Sequence, residues 1–240
     1  MHSPFVFEFI TKVMNDFTAY PDYDRIETLR KKLLNDASVL TVQDLGAGSA
    51  KTRTNTRKVA SIAKNAAKPA KYGQLMYRMV RHYGAKRILE LGTSLGMTTA
   101  YLAAAGPEAR VVTLEGAPSV AQKARENFAA LGLKNIELVE GNFDDTLPAV
   151  LNDLSEVDLV FIDGNHRQEP TERYFQQLLP YIHNETLLIF DDIHWSGEME
   201  AAWKNIVAQD MVTCDIDLFY IGILSFRKEF KEKQAFSVRF

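Results

Sequence analysis

The 240-residue sequence predicts an α/β fold built on a mostly parallel sheet. Three observations carry this. First, Ile88–Ala103 reads ILELGTSLGMTTAYLA: an apolar run, a glycine loop, then a helix-compatible run. Second, from Arg87 onward, apolar runs of strand length alternate with helical segments. That alternation is the pattern of a parallel sheet with helices on both faces. Third, two strand-like runs close the chain, joined by a link too short for a crossover helix, so they are expected to pair antiparallel. The resulting fold class is a Rossmann-like, seven-stranded sheet, mostly parallel with the last strand antiparallel, preceded by an N-terminal helical extension.

In chain order, Pro4 to Phe17 carries Val6, Ile10, Val13 and Phe17 at helical spacing, with Ser3 as cap and Pro4 in the first turn. This Phe-rich helix is open to three readings: a lid, a contact in a homodimer, or plain core. Asp24 to Asp36 reads as a second amphipathic helix. Leu40 to Leu45 is a short apolar run entering DLGAGS (Asp44–Ser49), which superficially repeats the glycine-loop pattern. The following KTRTNTRK has no apolar helical face, so DLGAGS is read as a turn into a basic loop. Val59 to Ala67 and Ala70 to Tyr83 look helical, with Gly84 as a stop.

The chain is then divided into a helical and basic extension, 1–71, and an α/β domain, 72–240. Strands are expected at Arg87–Leu91, Arg110–Leu114, Ile136–Val139, Leu159–Ile162 and Thr186–Phe190. Helices between them are expected at Thr98–Ala105, Ser119–Leu131, Thr146–Leu154 and Thr171–Leu179. Met199–Gln209 adds one more helix before the closing runs Cys214–Phe226 and Ala235–Phe240.

Composition bounds the function. With 46% hydrophobic and 25% charged residues, the chain suits one sizeable globular domain. Cys214 is the single cysteine, so no intrachain disulfide forms, and it reads as a buried strand residue. No apolar run approaches the roughly 20 residues of a membrane span, and the N-terminus is a poor signal peptide. A soluble cytoplasmic protein without a membrane partner is the expectation.

The net charge of −3 is unevenly spread. Leu45 to Leu89 contains eleven Lys and Arg and no Asp or Glu. Two readings stand: a solvated basic surface pairing with an acidic body, or a contact surface for an anionic substrate.

Ligands of open parallel sheets sit outside the carboxyl ends of the strands. Those ends carry Glu90, Gly92, Ser94 and Gly96; then Glu115; then Gly141-Asn142-Phe143-Asp144; then Asp163-Gly164-Asn165-His166; then Asp191-Asp192-Ile193-His194. Polar and acidic residues thus converge on one edge. The ordered set ELGTSLG, TLEGAP, EGNFDD, VFIDGNH and LIFDDIHW resembles the class I S-adenosylmethionine-dependent methyltransferases. Within them it is most similar to the O-methyltransferases of the catechol and caffeoyl-CoA type and their bacterial relatives, over about Tyr72 to Phe240.

The resemblance implies roles position by position. Glu90, Gly92, Ser94 and Gly96 would hold the amino-acid end of S-adenosylmethionine. Glu115 would take both ribose hydroxyls, which suits a carboxylate able to accept two hydrogen bonds. Asn142 and Phe143 would lie at the adenine, and Asp163 at the sulfonium. Asp163, Asp191 and Asp192 match positions that bind Mg²⁺ in catechol-type relatives, with Asp192 departing from an Asn in that pattern. Three carboxylates suit a hard cation such as Mg²⁺, Mn²⁺ or Ca²⁺. His166 stands where those relatives carry a lysine general base, and an imidazole suits proton abstraction near neutrality. His194 and Trp195 would line an acceptor pocket.

The implied activity is O-methylation of a small-molecule hydroxyl. The alternatives are a nucleic-acid methyltransferase using the basic 45–89 stretch, a nicotinamide-dependent oxidoreductase, and a non-catalytic binding protein on the same scaffold. The second would normally show G-x-G-x-x-G, whereas Gly92 and Gly96 stand four apart with Ser94 between them.

Overall fold

The computed structural model describes residues 3–42, 56–65 and 68–240. The chain opens with α1 (Pro4–Glu8), which runs into a π-helical turn at Phe9–Met14, and continues through α2 (Pro21–Leu34). Strands β1 (Val39–Thr41) and β2 (Thr56–Lys58) form a small antiparallel pair, followed by α3 (Val59–Asn65) and α4 (Ala70–Tyr83). The regular alternation follows: β3 (Arg87–Leu91), α5 (Met97–Ala105), β4 (Arg110–Glu115), α6 (Pro118–Ala130), β5 (Ile136–Glu140) and α7 (Phe143–Leu154). Then come β6 (Val157–Ile162), α8 (Gln168–Leu178), β7 (Ile182–Asp191) and α9 (Gly197–Val207). The last strands are β8 (Cys214–Asp217), β9 (Ile221–Ser225) and β10 (Gln234–Ser237). DLGAGS lies outside the described residues.

The described strands β3–β10 form one sheet in the order β10-β8-β9-β7-β6-β3-β4-β5. It has eight strands where the sequence predicted seven, because the closing run Cys214–Phe226 folds back on itself at Leu218–Tyr220 into the hairpin β8–β9. The antiparallel strand is therefore β9, inside the sheet between β7 and β8. The last strand, β10, pairs parallel with β8. The expected antiparallel closure fails for a geometric reason. After the hairpin the chain is already back beside the start of β8, since Ser225 faces Cys214. It needs only to step past that strand, and neighbouring strands lie about 4.8 Å apart.

Burial follows the strand period of two. Ile88, Val111, Leu159, Phe161, Leu187 and Ile189 face one core, shared with α4, α5 and the N-terminal helices. Leu89, Leu91, Val112, Val160, Leu188 and Phe190 face the other, packed under α7, α8 and α9. The continuous apolar runs of β3 and β6 follow from burial on both faces.

Phe5, Val6, Phe9 and Val13 are buried in the first core, so that face of the Phe-rich helix is core. Its end differs from the sequence reading. The helix stops at Met14, because the Asp16 carboxylate accepts from Thr18 N and from the Tyr20 hydroxyl and turns the chain, leaving Phe17 exposed. Cys214 is buried in β8. No helix among the described residues is long and apolar enough to cross a membrane.

Candidate active site

The strand order reverses between β4 and β6, on either side of β3. Such a switch point opens a crevice at the carboxyl ends of the strands. A cavity of about 680 Å³ lies there, within the usual size of small-molecule sites. Strand ends form one wall, and Arg30 of α2 with Lys64 of α3 contributes to the other.

The loop after β3 forms the centre of the strand wall. Gly92 has φ +107, and a Cβ there would meet the Asp163 carbonyl oxygen at 2.0 Å. Glycine therefore lets the ends of β3 and β6 close on each other. Gly92 N and Thr93 N both donate to the Leu114 carbonyl, tying the loop to β4. Glu115 fixes the loop from the side: Ser94 N donates to its Oε2 at 2.8 Å and Ala117 N to its Oε1 at 2.9 Å. Burial pushes the Glu115 carboxyl above its ordinary value, and these backbone donors partly offset it. Each oxygen keeps acceptor capacity for a ligand.

Asn142 caps α7, its side chain accepting from Asp144 N, and lines the cavity. Phe143 lines it too, edge-on to Tyr174. At the end of β6, Asn165 and His166 both adopt left-handed backbone, φ 69 and 33. This bend sets His166 Nε2 3.4 Å from Asp163 Oδ1. Burial pulls the imidazole pKa down, but the carboxylates of Asp163 and Asp192 outweigh it and the net shift is upward. Backbone strain of this kind concentrates at functional sites.

Not every residue singled out in the sequence reaches the cavity. Gly92, Ser94 and Glu115 line it, as do Asn142 and Phe143. Asp163 and His166, and Asp191 and Asp192, line it as well. Glu90 and Gly96 do not. Glu90 is fully buried behind the loop, where the hydroxyls of Thr99 and Thr113 donate to its Oε2. It sits on the β3 face turned toward α5, so the strand period directs it away from the crevice. Burial pushes its carboxyl up to about 8. Gly96 begins α5 at φ +77, and a Cβ there would strike the Phe128 ring, so it serves the packing of α6 on the loop. His194 and Trp195 lie outside the cavity lining too: His194 pairs with Asp217 at 2.9 Å and Trp195 is largely exposed.

The three candidate metal ligands line the same cavity, but a fourth group is among them. Lys68 Nζ lies 3.1 Å from Asp191 Oδ1 and hydrogen-bonds Asp192 Oδ1. Asp192 is the position where the resembled pattern has Asn. Burial and the neighbouring charge of Asp163 push Asp191 well up, while Lys68 pulls it back. Asp163, despite burial, is held below its ordinary value by His166 and Lys68. A divalent ion bonds carboxylate oxygen at about 2.0–2.6 Å, so on these two oxygens it would share both acceptors with the ammonium. At about 4 Å, repulsion between a dication and an ammonium is roughly 8 kcal/mol at an effective dielectric of 20. The donor set does not fit a divalent cation with Lys68 in place. Among the described residues no group of three or more His, Cys, Asp or Glu is disposed to hold one.

Lys68 is the residue that sequence reasoning missed. Its signal was the acid-free 45–89 stretch, which marks the region but no position. Other cations of that stretch serve the fold: Arg78 Nε donates to the Val13 carbonyl, Lys71 Nζ to the Phe240 carbonyl, and Arg87 pairs with Glu156 and Asp158.

A family model described as a methyltransferase domain matches residues 89–193. The catechol O-methyltransferase of Mycobacterium tuberculosis is 35% identical over 130 residues, which cover 53% of this chain and 57% of that protein. That of Niastella koreensis is 32% identical over 130 residues, covering 53% and 58%. The chain thus spans little more than half the length of these relatives. An SAH-bound methyltransferase of Podospora anserina superposes with a TM-score of 0.65 at 14% identity, covering 95% of this chain and 98% of that one. An O-methyltransferase of Bacillus cereus in complex with SAH superposes at 0.62 with 19% identity, covering 92% and 96%. Residues 89–193 thus match a methyltransferase domain, the fold is that of solved methyltransferases, and catechol O-methyltransferases are among the proteins this chain is similar to.

Proposed function

We propose that the chain transfers the methyl group of S-adenosylmethionine to a hydroxyl oxygen of a small molecule. The observation that carries this is the convergence of Gly92, Ser94, Glu115, Asn142 and Phe143 on one side of a single cavity, with Asp163 and His166 beside them. Glu115 is held by two backbone donors, so its remaining lone pairs are pre-aimed for a diol. Phe143 offers an aromatic face to a planar base. When bound, S-adenosylmethionine supplies a methyl group activated by the sulfonium. The protein's part is to hold the acceptor oxygen in line and to take its proton. His166 is the proposed proton acceptor and Asp163 orients its ring.

The cationic side chains Arg57 and Lys64 in the lining support the finer reading of an anionic acceptor. The fate of Arg78, Lys71 and Arg87 speaks against a nucleic-acid surface, since each is committed to a partner within the chain.

The test is ligand binding followed by turnover. S-adenosylhomocysteine is expected to raise the melting temperature, and NAD is expected to leave it unchanged. Glu115→Gln is expected to weaken S-adenosylhomocysteine about 10- to 100-fold by calorimetry, the worth of charge-assisted hydrogen bonds. Methyl transfer from labelled S-adenosylmethionine to catechol or caffeate then probes the acceptor class. Absence of S-adenosylhomocysteine binding would overturn the reading.

A further inference from the structure

We propose that the ammonium of Lys68 is the resident cation of this site, standing where a divalent metal would otherwise bridge Asp191 and Asp192, and that the chain works without a bound metal. The placement is specific. Lys68 reaches across 124 positions of sequence to Asp192, and it contacts both carboxylates at once. Asp191 is 1% exposed, so a carboxylate there is stable only beside a cation inside the protein. Lys68 supplies that cation from the segment between α3 and α4, where Pro69 directly precedes α4.

The geometry also leaves the lysine a role toward the acceptor. An ammonium has three donors. Asp192 accepts from one of them, Asp191 Oδ1 stands beside the ammonium at 3.1 Å as an ion pair, and at least one N–H remains. Lys68 keeps 19% of its side chain exposed and lines the cavity beside Asp163 and His166. On the methyltransferase reading, on which this role rests, that N–H would hold the acceptor oxygen. It would also favour the oxygen's deprotonated form as the proton leaves to His166. A point charge with one free donor does part of what a Lewis acid does, without an exchangeable ion.

The experiment is a cation titration of the full chain, independent of turnover. Wild type is titrated with Mg²⁺ and Ca²⁺ by calorimetry and with Mn²⁺ by electron paramagnetic resonance. No saturable binding below about 1 mM is expected, since even weak protein calcium sites fall in that range. Lys68→Met removes the ammonium and leaves three carboxylates. It is expected to gain Mn²⁺ binding at least tenfold tighter than wild type, and Asp192→Asn added to it is expected to abolish the gain. Saturable binding by wild type that Asp192→Asn removes would overturn the proposal. So would a folded Lys68→Met that binds no Mn²⁺. Lys68→Gln serves if Lys68→Met does not fold, and if neither folds the wild-type titration decides. Parallel titration with S-adenosylhomocysteine reports on the methyltransferase reading separately. Its failure alongside the expected cation results would remove the acceptor role and leave the assignment of the cation intact.

Discussion

Glu90 and Lys68 show how differently a charged side chain can be treated in the same fold. Lys68 is half-buried beside opposite charges. Glu90 is buried with two hydroxyls, and its Oε1 has no hydrogen-bond partner. Burial therefore dominates and its carboxyl titrates at about 8 instead of 4.5. The sign follows directly. Between those values the folded state holds a proton that the unfolded chain has released, so stability falls as pH rises from about 4.5 toward 8. One proton corresponds to about 1.4 kcal/mol per pH unit. Glu90→Gln carries no such proton, so urea unfolding at pH 5.5 and 7.5 should show the variant gaining about 2–3 kcal/mol on wild type at the higher pH. A pH-independent difference would mean that Glu90 is ionised in the fold. The sequence reading placed Glu90 at the cofactor, whereas its partners in the fold are two hydroxyls behind the loop. It could not say that the partners are Thr99 and Thr113, because these come from a helix and a strand whose packing no local pattern encodes.

At the scale of elements, the approach of β3 to β6 is the feature on which the crevice depends. Gly92→Ala would combine an unfavourable φ with a Cβ 2.0 Å from the Asp163 carbonyl. A loss of about 3 kcal/mol by urea unfolding is expected, together with loss of S-adenosylhomocysteine binding. Retention of both would mean that the strand ends have room to part. The strands β3 to β7 were legible because each is a short apolar run bounded by turn residues. The hairpin β8–β9 was not, because Leu218-Phe219-Tyr220 continues the apolar run without the usual Gly or Asn. The turn is instead made by Phe219 at φ 72, with the Asp217 carboxylate accepting from its N–H. A bulky aromatic in left-handed backbone leaves no local sequence signature.

For the whole molecule, the boundary drawn at residue 71 separates motifs rather than cores. Phe5, Phe9 and Val13 pack in the same cluster as Tyr77, Ile88 and Tyr101. We propose that extension and α/β domain unfold as one unit. Phe9→Ala should cost about 3–5 kcal/mol, the range for a large buried aromatic, with fluorescence and circular dichroism transitions remaining coincident. Two separated transitions would restore the independent extension. The second wall of the cavity was illegible for a related reason: Arg30 and Lys64 reach the site only through this shared packing.

The pairing of Lys68 with Asp191 and Asp192 also sets an order of assembly. On a ribosome the lysine emerges 124 residues before Asp192. Around it, from Leu45 to Leu89, the nascent chain carries eleven cations and no acid with which to neutralise itself. Like charges keep such a segment extended. Its counter-charges arrive with β6 and β7, after the glycine loop and the Glu115 wall have already been made. The half of the crevice proposed to hold the nucleoside can thus take shape during synthesis. The half proposed to carry out the reaction has to wait until the two distant segments meet.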